Sequence, residues 1–473
     1  MKSETQKAED VHSSSDREAG VDIEYEQKLI HKVDWRLLPI LGALYSVALI
    51  DRTNMSNAAV AGMDVELHLK GTNRYSIALL IFFIPYFIFE LPSNLLLRRI
   101  GAAKLLGTLA VCWGAVMIGM GFLKDWRLLV VCRAILGFFE AGFFPGAVYI
   151  VSSWYVRYEV QKRMAGFYLV SVLVGGFSAI LAYGLMQMKG IGGLSGWRWI
   201  FIIEGIITVL LGFVAYFTII DFPDKVLETR NGNFLTASDV ELLKARIDRD
   251  RDDSTADEIT WAKVGKHLGD WKLWVFAMMF MCSTTPSYAF GYFLPQILRG
   301  MGFSAAMSQL LSAPPYIFAC ITAFGMAVLA DKTHKRGPVI VFQNLLVIVG
   351  LLITAYTKGT GPRYFGIFLG LTGAQGNVPA VLSYQSNNIR MNSKRSVGSA
   401  LQVGFGAIGG IFASTVFREH DAPKYLNGMW ATIGTQLFTM AAVATMTLYF
   451  RSQNKKQKEG KVLEGHPNFQ YTL

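Results

Sequence analysis

The sequence predicts an all-α membrane protein with twelve transmembrane helices in two six-helix halves, and three observations support this prediction. Hydrophobic residues make up 52% of the 473 residues and charged residues only 17%, whereas soluble domains carry about 25% charged residues. Charges are missing from eight long stretches, each long enough to cross a bilayer as a helix of roughly 20 residues. A long polar segment, residues 221–272, divides the predicted spans six and six.

The spans differ in whether they contain charged residues. Eight are free of charge: residues 105–123, 164–188, 273–298, 300–330, 337–357, 364–389, 396–417 and 425–450. Four contain isolated charges: residues 36–56, 75–97, 126–152 and 197–220. Residues 300–330 are interpreted as a short loop followed by one helix.

The distribution of basic residues predicts the topology. An even number of spans places both termini on one side, and most Lys and Arg lie in the tails and loops of that side. Because Lys and Arg favour the cytoplasm, both termini are expected there. The net charge of +11 then reflects topology and argues against nucleic-acid binding, because no basic, aromatic-rich soluble domain is present.

The chain is accordingly divided into five parts. These are a disordered cytoplasmic tail (1–35), an N-terminal six-helix half (36–220), a cytoplasmic linker (221–272), a C-terminal six-helix half (273–450) and a second cytoplasmic tail (451–473). Within the linker, Thr236 followed by acidic and then apolar residues predicts a capped helix start. Residues 248–258 are almost wholly charged and are interpreted as flexible.

Of the charged residues inside the predicted spans, four stand out: Asp51 and Arg52 in the first span, and Arg133 and Glu140 in the fourth. A charge at bilayer depth costs at least a few kcal/mol, so such residues usually line a substrate or ion path. At about 1.5 Å per residue, Arg52 and Arg133 reach nearly the same depth in a core about 30 Å thick. Glu140 follows Arg133 by two helical turns on the same face. All four are expected to face one cavity.

These residue types suit proton-coupled binding of an organic anion. An Arg guanidinium binds a carboxylate through two parallel hydrogen bonds and stays charged when poorly hydrated. A carboxyl group in a low-dielectric cavity exchanges a proton near neutral pH, since burial and nearby Arg act on it in opposite directions. The alternative is a set of buried salt bridges that only fix helix positions.

Polar residues of the second half could complete a binding site. They are Tyr288, Tyr292 and Gln296 in the seventh span, Gln375 and Asn377 in the tenth, and Gln402 in the eleventh. Ring faces and amides suit a flat, carboxylated molecule, although interhelical hydrogen bonding explains any one of them equally well. Glu90 is interpreted as part of a gate and Glu204 as structural. All four cysteines lie in apolar spans without metal-ligand spacing, so we expect neither a metal nor a cofactor.

Six motifs are spread over both halves of the chain. They are LIDRTNMSNA (49–58), FELPSN (89–94), RAILGFFEAGFFP (133–145), GWRWIF (196–201), RSVGSALQVGFG (395–406) and FREHDAP (417–423). These motifs resemble those of the anion:cation symporters of the major facilitator superfamily, and within them the fungal allantoate permease family. The resemblance covers nearly the whole chain apart from the tails.

The resemblance implies the major facilitator fold and proton-driven uptake of organic anions such as vitamins, ureides and sugar acids. It implies that Arg52 binds the substrate carboxylate, that Asp51 and Glu140 carry protons, and that Arg133 couples to Glu140. Gating is expected in the loops after the second and eighth spans. The residues concerned are Glu90, Asn94 and Arg98 in the first half and Asp331, Lys335 and Arg336 in the second. Asn94 replaces the Asp that many facilitators have, which predicts a weaker lock in that half.

The sequence therefore predicts a monomeric plasma-membrane symporter for protons and a small organic anion, and not an enzyme. Two other functions stay open. An exporter of a secondary metabolite would use the same fold, and efflux from loaded cells would identify it. A non-transporting nutrient sensor would bind a ligand without flux in proteoliposomes.

Overall fold

A computed structural model gives the fold. It describes residues 2–70, 72–223, 225–227, 234–251, 261–333, 335–389, 392–418, 421–422, 424–464 and 469–473. Side chains are described from residue 24 onward, except within helices at residues 91, 94, 95, 98, 157–162, 164, 165, 169, 172, 248–251, 261, 331, 392, 393 and 396. These residues form seventeen α-helices.

The first half contains eight of these α-helices. They are α1 (Lys2–Ala58), α2 (Asp64–Glu66), α3 (Arg74–Ile100), α4 (Ala102–Met120), α5 (Trp126–Glu140), α6 (Phe143–Trp154), α7 (Arg157–Met186) and α8 (Gly196–Thr218). A π-helical turn, Ala59–Met63, continues α1, and a 3-10 turn, Ile191–Gly193, precedes α8. The predicted fourth span is thus two helices, α5 and α6, broken at Ala141 and Gly142.

Two linker helices and the second half follow. The linker contains α9 (Ala237–Arg251) and α10 (Trp261–Leu268). The second half contains α11 (Trp271–Gly300), α12 (Ala305–Leu310), α13 (Ala313–Thr333), α14 (Arg336–Tyr356), α15 (Thr360–Asn387), α16 (Asn392–Val416) and α17 (Leu426–Lys458). Ten helical segments of the described chain are long and apolar enough to cross a membrane. With α3 and α11, which have 27 and 30 residues, they occupy the positions of the twelve predicted spans, so the all-α prediction is confirmed.

The first helix extends beyond its membrane span. Residues 24–35, which the sequence analysis assigns to a disordered tail, are helical and continuous with the span. The physical reason is packing, because Leu29, Ile30 and Val33 are buried in the hydrophobic core. Tyr25 donates a hydrogen bond of 2.6 Å to Asp239 of α9. This part of the chain therefore ties the linker to the first half.

The predicted start of α9 is confirmed. The Thr236 hydroxyl accepts a hydrogen bond from the backbone N–H of Asp239 at 3.3 Å, and the Asp239 carboxylate accepts one from the N–H of Thr236 at 2.9 Å. This reciprocal pair satisfies two of the donors that a helix N-terminus leaves free. The charged stretch 248–258 falls for the most part outside the described residues.

The two halves contact each other on the side opposite the linker, which we call the far side. Tyr75 of α3 donates to the carbonyl of Tyr292 at 3.2 Å. Gln309 of α12 donates to the carbonyl of Asn57 at 3.1 Å. These bonds join the end of α1 and the start of α3 to the second half, so the halves are closed against each other there.

The end of the chain packs back onto the linker side of the second half. The carbonyl of Leu473 accepts hydrogen bonds from the N–H groups of Arg336 and Gly337 at 2.9 and 3.3 Å. Tyr471 stacks on Phe450 with 4.3 Å between ring centroids. The Glu464 carboxylate accepts a hydrogen bond of 2.6 Å from Lys272 and two of 2.9 Å from Lys394.

Replacing Glu464 by glutamine is expected to release this tail at neutral pH. Burial alone would raise the pKa of Glu464, but hydrogen bonds and charges from Lys272 and Lys394 outweigh burial and hold its pKa below the ordinary 4.5. A lowered pKa means that the stabilisation is present above about 4.5 and is lost as the pH falls below it. Charge-assisted bonds contribute about 1.5–3 kcal/mol, so limited proteolysis of the tail should be about 10- to 100-fold faster.

The exposed Glu459 provides the matched control. Glu459→Gln should be cleaved at the wild-type rate, and wild type at acid pH should be cleaved like Glu464→Gln. Equal cleavage of the two variants at neutral pH would contradict this role for Glu464.

Candidate functional site

The centre of the helix bundle holds a buried ion pair between α1 and α5. The Arg52 guanidinium donates to Glu140 through Nε at 2.7 Å, and its Nη2 lies 2.5 Å from the same oxygen. Both residues are buried, with Arg52 8% and Glu140 2% exposed. Arg52 also donates through Nη1 to the Tyr288 hydroxyl of α11 at 3.2 Å. Arg52 thus joins the two halves at mid-bundle.

A phenylalanine connects the two intramembrane arginines. The Phe82 ring of α3 lies 5.5 Å from the Arg52 guanidinium and 4.7 Å from that of Arg133. Tyr86, one turn further along α3, lies 5.0 Å from Arg52. Such contacts favour a cation by about 0.5–2 kcal/mol. The shared ring agrees with the equal depth predicted for Arg52 and Arg133.

The sequence analysis did not identify Phe82 or Tyr86 as site residues. The signal that could have found them is their four-residue spacing, which places both rings on one face of α3. Close helix contact brings that face to α5, because a Cβ atom at Gly137 would collide with the Phe82 carbonyl oxygen. Glycine at this position allows the two backbones to touch.

Arg133 makes no hydrogen bond to Glu140, to which the resemblance couples it, although the two charges lie within electrostatic range. Its Nε donates to the carbonyl of Ala78 at 3.3 Å. Its side chain is fully buried, yet neither Nη1 nor Nη2 has a hydrogen-bond partner among the described residues. Glu140 instead pairs with Arg52. Buried donors without acceptors cost about 1–3 kcal/mol each, and more when charged, so Arg133 is ready to receive an anion.

Aromatic side chains of the second half border the ion pair. Tyr288 and Tyr292 of α11 stack with centroids 5.9 Å apart and an interplanar angle of 16°. Phe83 of α3 packs edge-on against both rings, at 5.2 and 6.3 Å. The Tyr292 hydroxyl is buried with no partner among the described residues. The two rings therefore offer flat apolar faces and a hydroxyl beside the arginines.

Glu90 lies on the linker side of the ion pair. It follows Tyr86 by one turn of α3, is partly exposed, and is close enough to Arg52 and Tyr288 for electrostatic interaction. Glu90 thus lies within the second span near the central site, and its gating role stays a prediction.

Asp51 points away from the Arg52–Glu140 pair. Successive helical residues are about 100° apart, and Asp51 lies beside Trp113 of α4 and Glu204 of α8. Its side chain is 1% exposed, and neither carboxylate oxygen has a hydrogen-bond partner among the described residues. Glu140 and Arg133 remain within electrostatic range. The four charged residues are thus neighbours on two sides of α1.

The amide residues of the second half are bonded mainly to neighbouring helices. Gln375 accepts from Tyr168 of α7 at 3.4 Å and so connects the two halves. Asn377 donates to Asn344 of α14 at 3.0 Å, and Gln402 donates to the carbonyl of Val381 at 3.3 Å. Gln296 accepts from Tyr425 at 3.1 Å. Gln375 is the member of this group that contacts the first half.

The expected gate residues are only partly described. The side chains of Asn94, Arg98 and Asp331 lie outside the described residues. Lys335 is exposed and Arg336 is partly buried, and the backbone of Arg336 binds the C-terminal residue. The gating role of these residues stays a prediction.

The Nη1 and Nη2 groups of Arg133 are the part of this site that could bind an anion. Arg52 is paired with Glu140, and Asp51 and Glu90 also lie within electrostatic range of the two guanidinium groups. An organic carboxylate could accept hydrogen bonds from Arg133, with its flat body against the stacked tyrosines.

Comparisons with known proteins agree with this architecture. The family model described as Major Facilitator Superfamily matches residues 41–414. The MFS-type transporter efuF of Hormonema carpetanum is 32% identical over 448 residues, which cover 93% of this chain and 89% of the relative.

Two solved structures share the fold. A bacterial homologue of the human lysosomal transporter Spinster, inward-facing and occupied, has a TM-score of 0.65 at 15% identity and covers 89% of this chain and 97% of its own. The xylose transporter XylE from E. coli, partially occluded and inward open, has a TM-score of 0.66 at 13% identity, covering 88% and 99%.

Proposed function

Because the chain belongs to the Major Facilitator Superfamily and is a membrane transporter, we propose that it takes up a small carboxylated organic anion together with protons by alternating access. The observation that carries this proposal is the Arg133 guanidinium beside the Arg52–Glu140 pair, since its Nη1 and Nη2 have no hydrogen-bond partner among the described residues. A buried guanidinium whose donors have no acceptor attracts an anion. The substrate class is one carboxylate on a compact, flat body.

The proposed coupling uses competition for Arg52. When Glu140 is ionised it holds Arg52 at 2.7 Å. When Glu140 takes up a proton, that pair weakens and Arg52 can bind the substrate carboxylate through two parallel hydrogen bonds. Tyr288 contacts Arg52 from the second half, so substrate binding would be sensed by both halves. A proton and an anion then move together.

The remaining parts of the proposal concern topology. Both termini face the cytoplasm, in keeping with the excess of Lys and Arg in the tails and in the loops on their side. The far side, where the halves are closed, then faces outward, and the protein works as a monomer in the plasma membrane.

An uptake screen in proteoliposomes tests this function. Radiolabelled nicotinate, allantoate and gluconate are offered with and without an inward proton gradient, and the uncharged amide of nicotinate serves as the control. We expect at least one carboxylate to accumulate, to do so faster with the gradient, and to exceed the amide. Transport of the amide at the same rate as nicotinate, or no stimulation by the gradient, would contradict the proposal.

A further inference from the structure

A second pair of acids lies on the α8 side of α1. Asp51 and Glu204 are 1% and 2% exposed and are close enough for their charges to repel each other. Asn54, one turn after Asp51 on α1, donates a hydrogen bond through its side-chain amide to one oxygen of Glu204. Glycines at 114 and 205 let α4 and α8 touch, which brings Trp113 and Glu204 against α1.

These acids have few partners for an ionised state. Both oxygens of Asp51 and Oε1 of Glu204 have no hydrogen-bond partner among the described residues, and the Asn54 carbonyl oxygen also has none. Asp51 is approached from α4 by the ring N–H of Trp113, which favours the ionised carboxylate, from α8 by Glu204, and from α5 by Glu140 and Arg133. Arg133 is the single cation of this set, and it acts at longer range on both Asp51 and Glu140, since Glu140 is paired with Arg52. Glu204 has only the neutral Asn54.

On the side away from Asn54, Glu204 is surrounded mostly by apolar side chains. It lines a groove of about 860 Å³ between α1, α7 and α8. Val47, Ile50, Ile207 and Leu211 line this groove as well. Among the described side chains, the charged residues of the groove are Glu204 itself and, on its linker side, Asp34 and Arg163, which bind each other at 2.6 and 2.7 Å. An ionised carboxylate in such a place loses its hydration without compensation.

We propose that Asp51 and Glu204 form a proton-binding pair that holds one proton between α1 and α8 at neutral pH. A proton on either acid removes one of the two repelling charges. The protonated acid also gains an O–H group, which can donate to a buried acceptor that has no donor, such as the side-chain amide oxygen of Asn54. The pair is distinct from Glu140, which has Arg52 as its counter-ion. A role of the Asp51–Glu204 pair in transport rests on the proposed function, but the binding of a proton by the pair does not.

Infrared difference spectroscopy on the purified full-length protein tests this pair without any substrate. Spectra of Glu204→Gln and of Asp51→Asn are subtracted from wild type at neutral pH, and Glu241→Gln, an exposed acid of α9, is the matched control. At least one of the two subtractions should show loss of the carbonyl band of a protonated carboxylic acid. The control should lose only bands of an ionised carboxylate.

A titration adds the coupling between the two acids. In Asp51→Asn, removal of the neighbouring charge should shift the loss of the Glu204 carboxylic-acid band to lower pH than in wild type. Loss of ionised-carboxylate bands alone in both subtractions would overturn the proposal. That result would leave the uptake screen unaffected, and failure of the screen would leave the infrared result unaffected. Two variants are used so that misfolding of one, seen in gel filtration, does not decide the outcome.

Discussion

Replacing Arg52 by alanine is expected to reduce uptake by at least about 100-fold. The variant removes the group proposed to bind the substrate carboxylate, and it leaves Glu140 buried without its cation. Two lost hydrogen bonds between Arg52 and the substrate carboxylate, at about 1.5–3 kcal/mol each, remove at least about 3 kcal/mol of binding, and each 1.4 kcal/mol corresponds to a factor of ten. Uptake of the carboxylate identified in the screen is measured in proteoliposomes with equal amounts of protein.

Arg127→Ala provides the matched control, because Arg127 is an exposed arginine of α5. It should transport like wild type. Gel filtration separates loss of binding from loss of folding, and Arg52→Lys should restore little uptake, since lysine keeps the charge but not the two parallel hydrogen bonds. Normal uptake by folded Arg52→Ala would contradict a role for Arg52 in substrate binding.

Replacing Glu140 by glutamine is expected to separate transport from the proton gradient. Glutamine resembles glutamate in shape but carries no charge and exchanges no proton. Arg52 would then be free of its counter-ion at every pH. Exchange of labelled for unlabelled substrate should continue, while stimulation of net uptake by an inward proton gradient should be lost.

The exposed Glu241 of α9 is again the suitable comparison, and Glu241→Gln should keep the full stimulation. The ratio of uptake rates with and without the gradient is the quantity to compare. An unchanged ratio in Glu140→Gln would mean that another group carries the proton, with the Asp51–Glu204 pair as the next candidate.

Much of the architecture follows from the sequence. Charge-free stretches of membrane length predict the helices. The bilayer core contains no water to bind backbone N–H and C=O groups, and a helix satisfies these groups within one segment. The start of α9 follows from the local chemistry of Thr236 and Asp239. The break between α5 and α6 does not follow from hydrophobicity, since both pieces are apolar. Residues 24–35 have the polar composition of a tail, but their apolar side chains Leu29, Ile30 and Val33 are buried in the hydrophobic core.

The sequence predicts which charged residues lie at the central site, but not which of them bind each other. Counting along two helices gives the depth of Arg52 and Arg133, and both indeed contact Phe82. Which arginine binds Glu140 depends on how α1 and α5 are rotated about their axes. Residue spacing within one helix does not determine the rotation of a neighbouring helix. For the same reason the sequence did not separate Asp51 from Arg52, or show that Glu204 meets Asp51. Asn377 faces α14. The sequence does not predict this direction, because the helix that carries Asn377 is apolar on both sides.

Proton movement driven by substrate alone tests the central claim most directly. Wild-type proteoliposomes with a trapped pH dye, and with no imposed proton gradient, receive the carboxylate identified in the screen on the outside. The proposed coupling predicts that the interior becomes more acidic as the anion enters, and that Glu140→Gln shows no such change. Entry of the anion into wild-type vesicles at constant internal pH would contradict it.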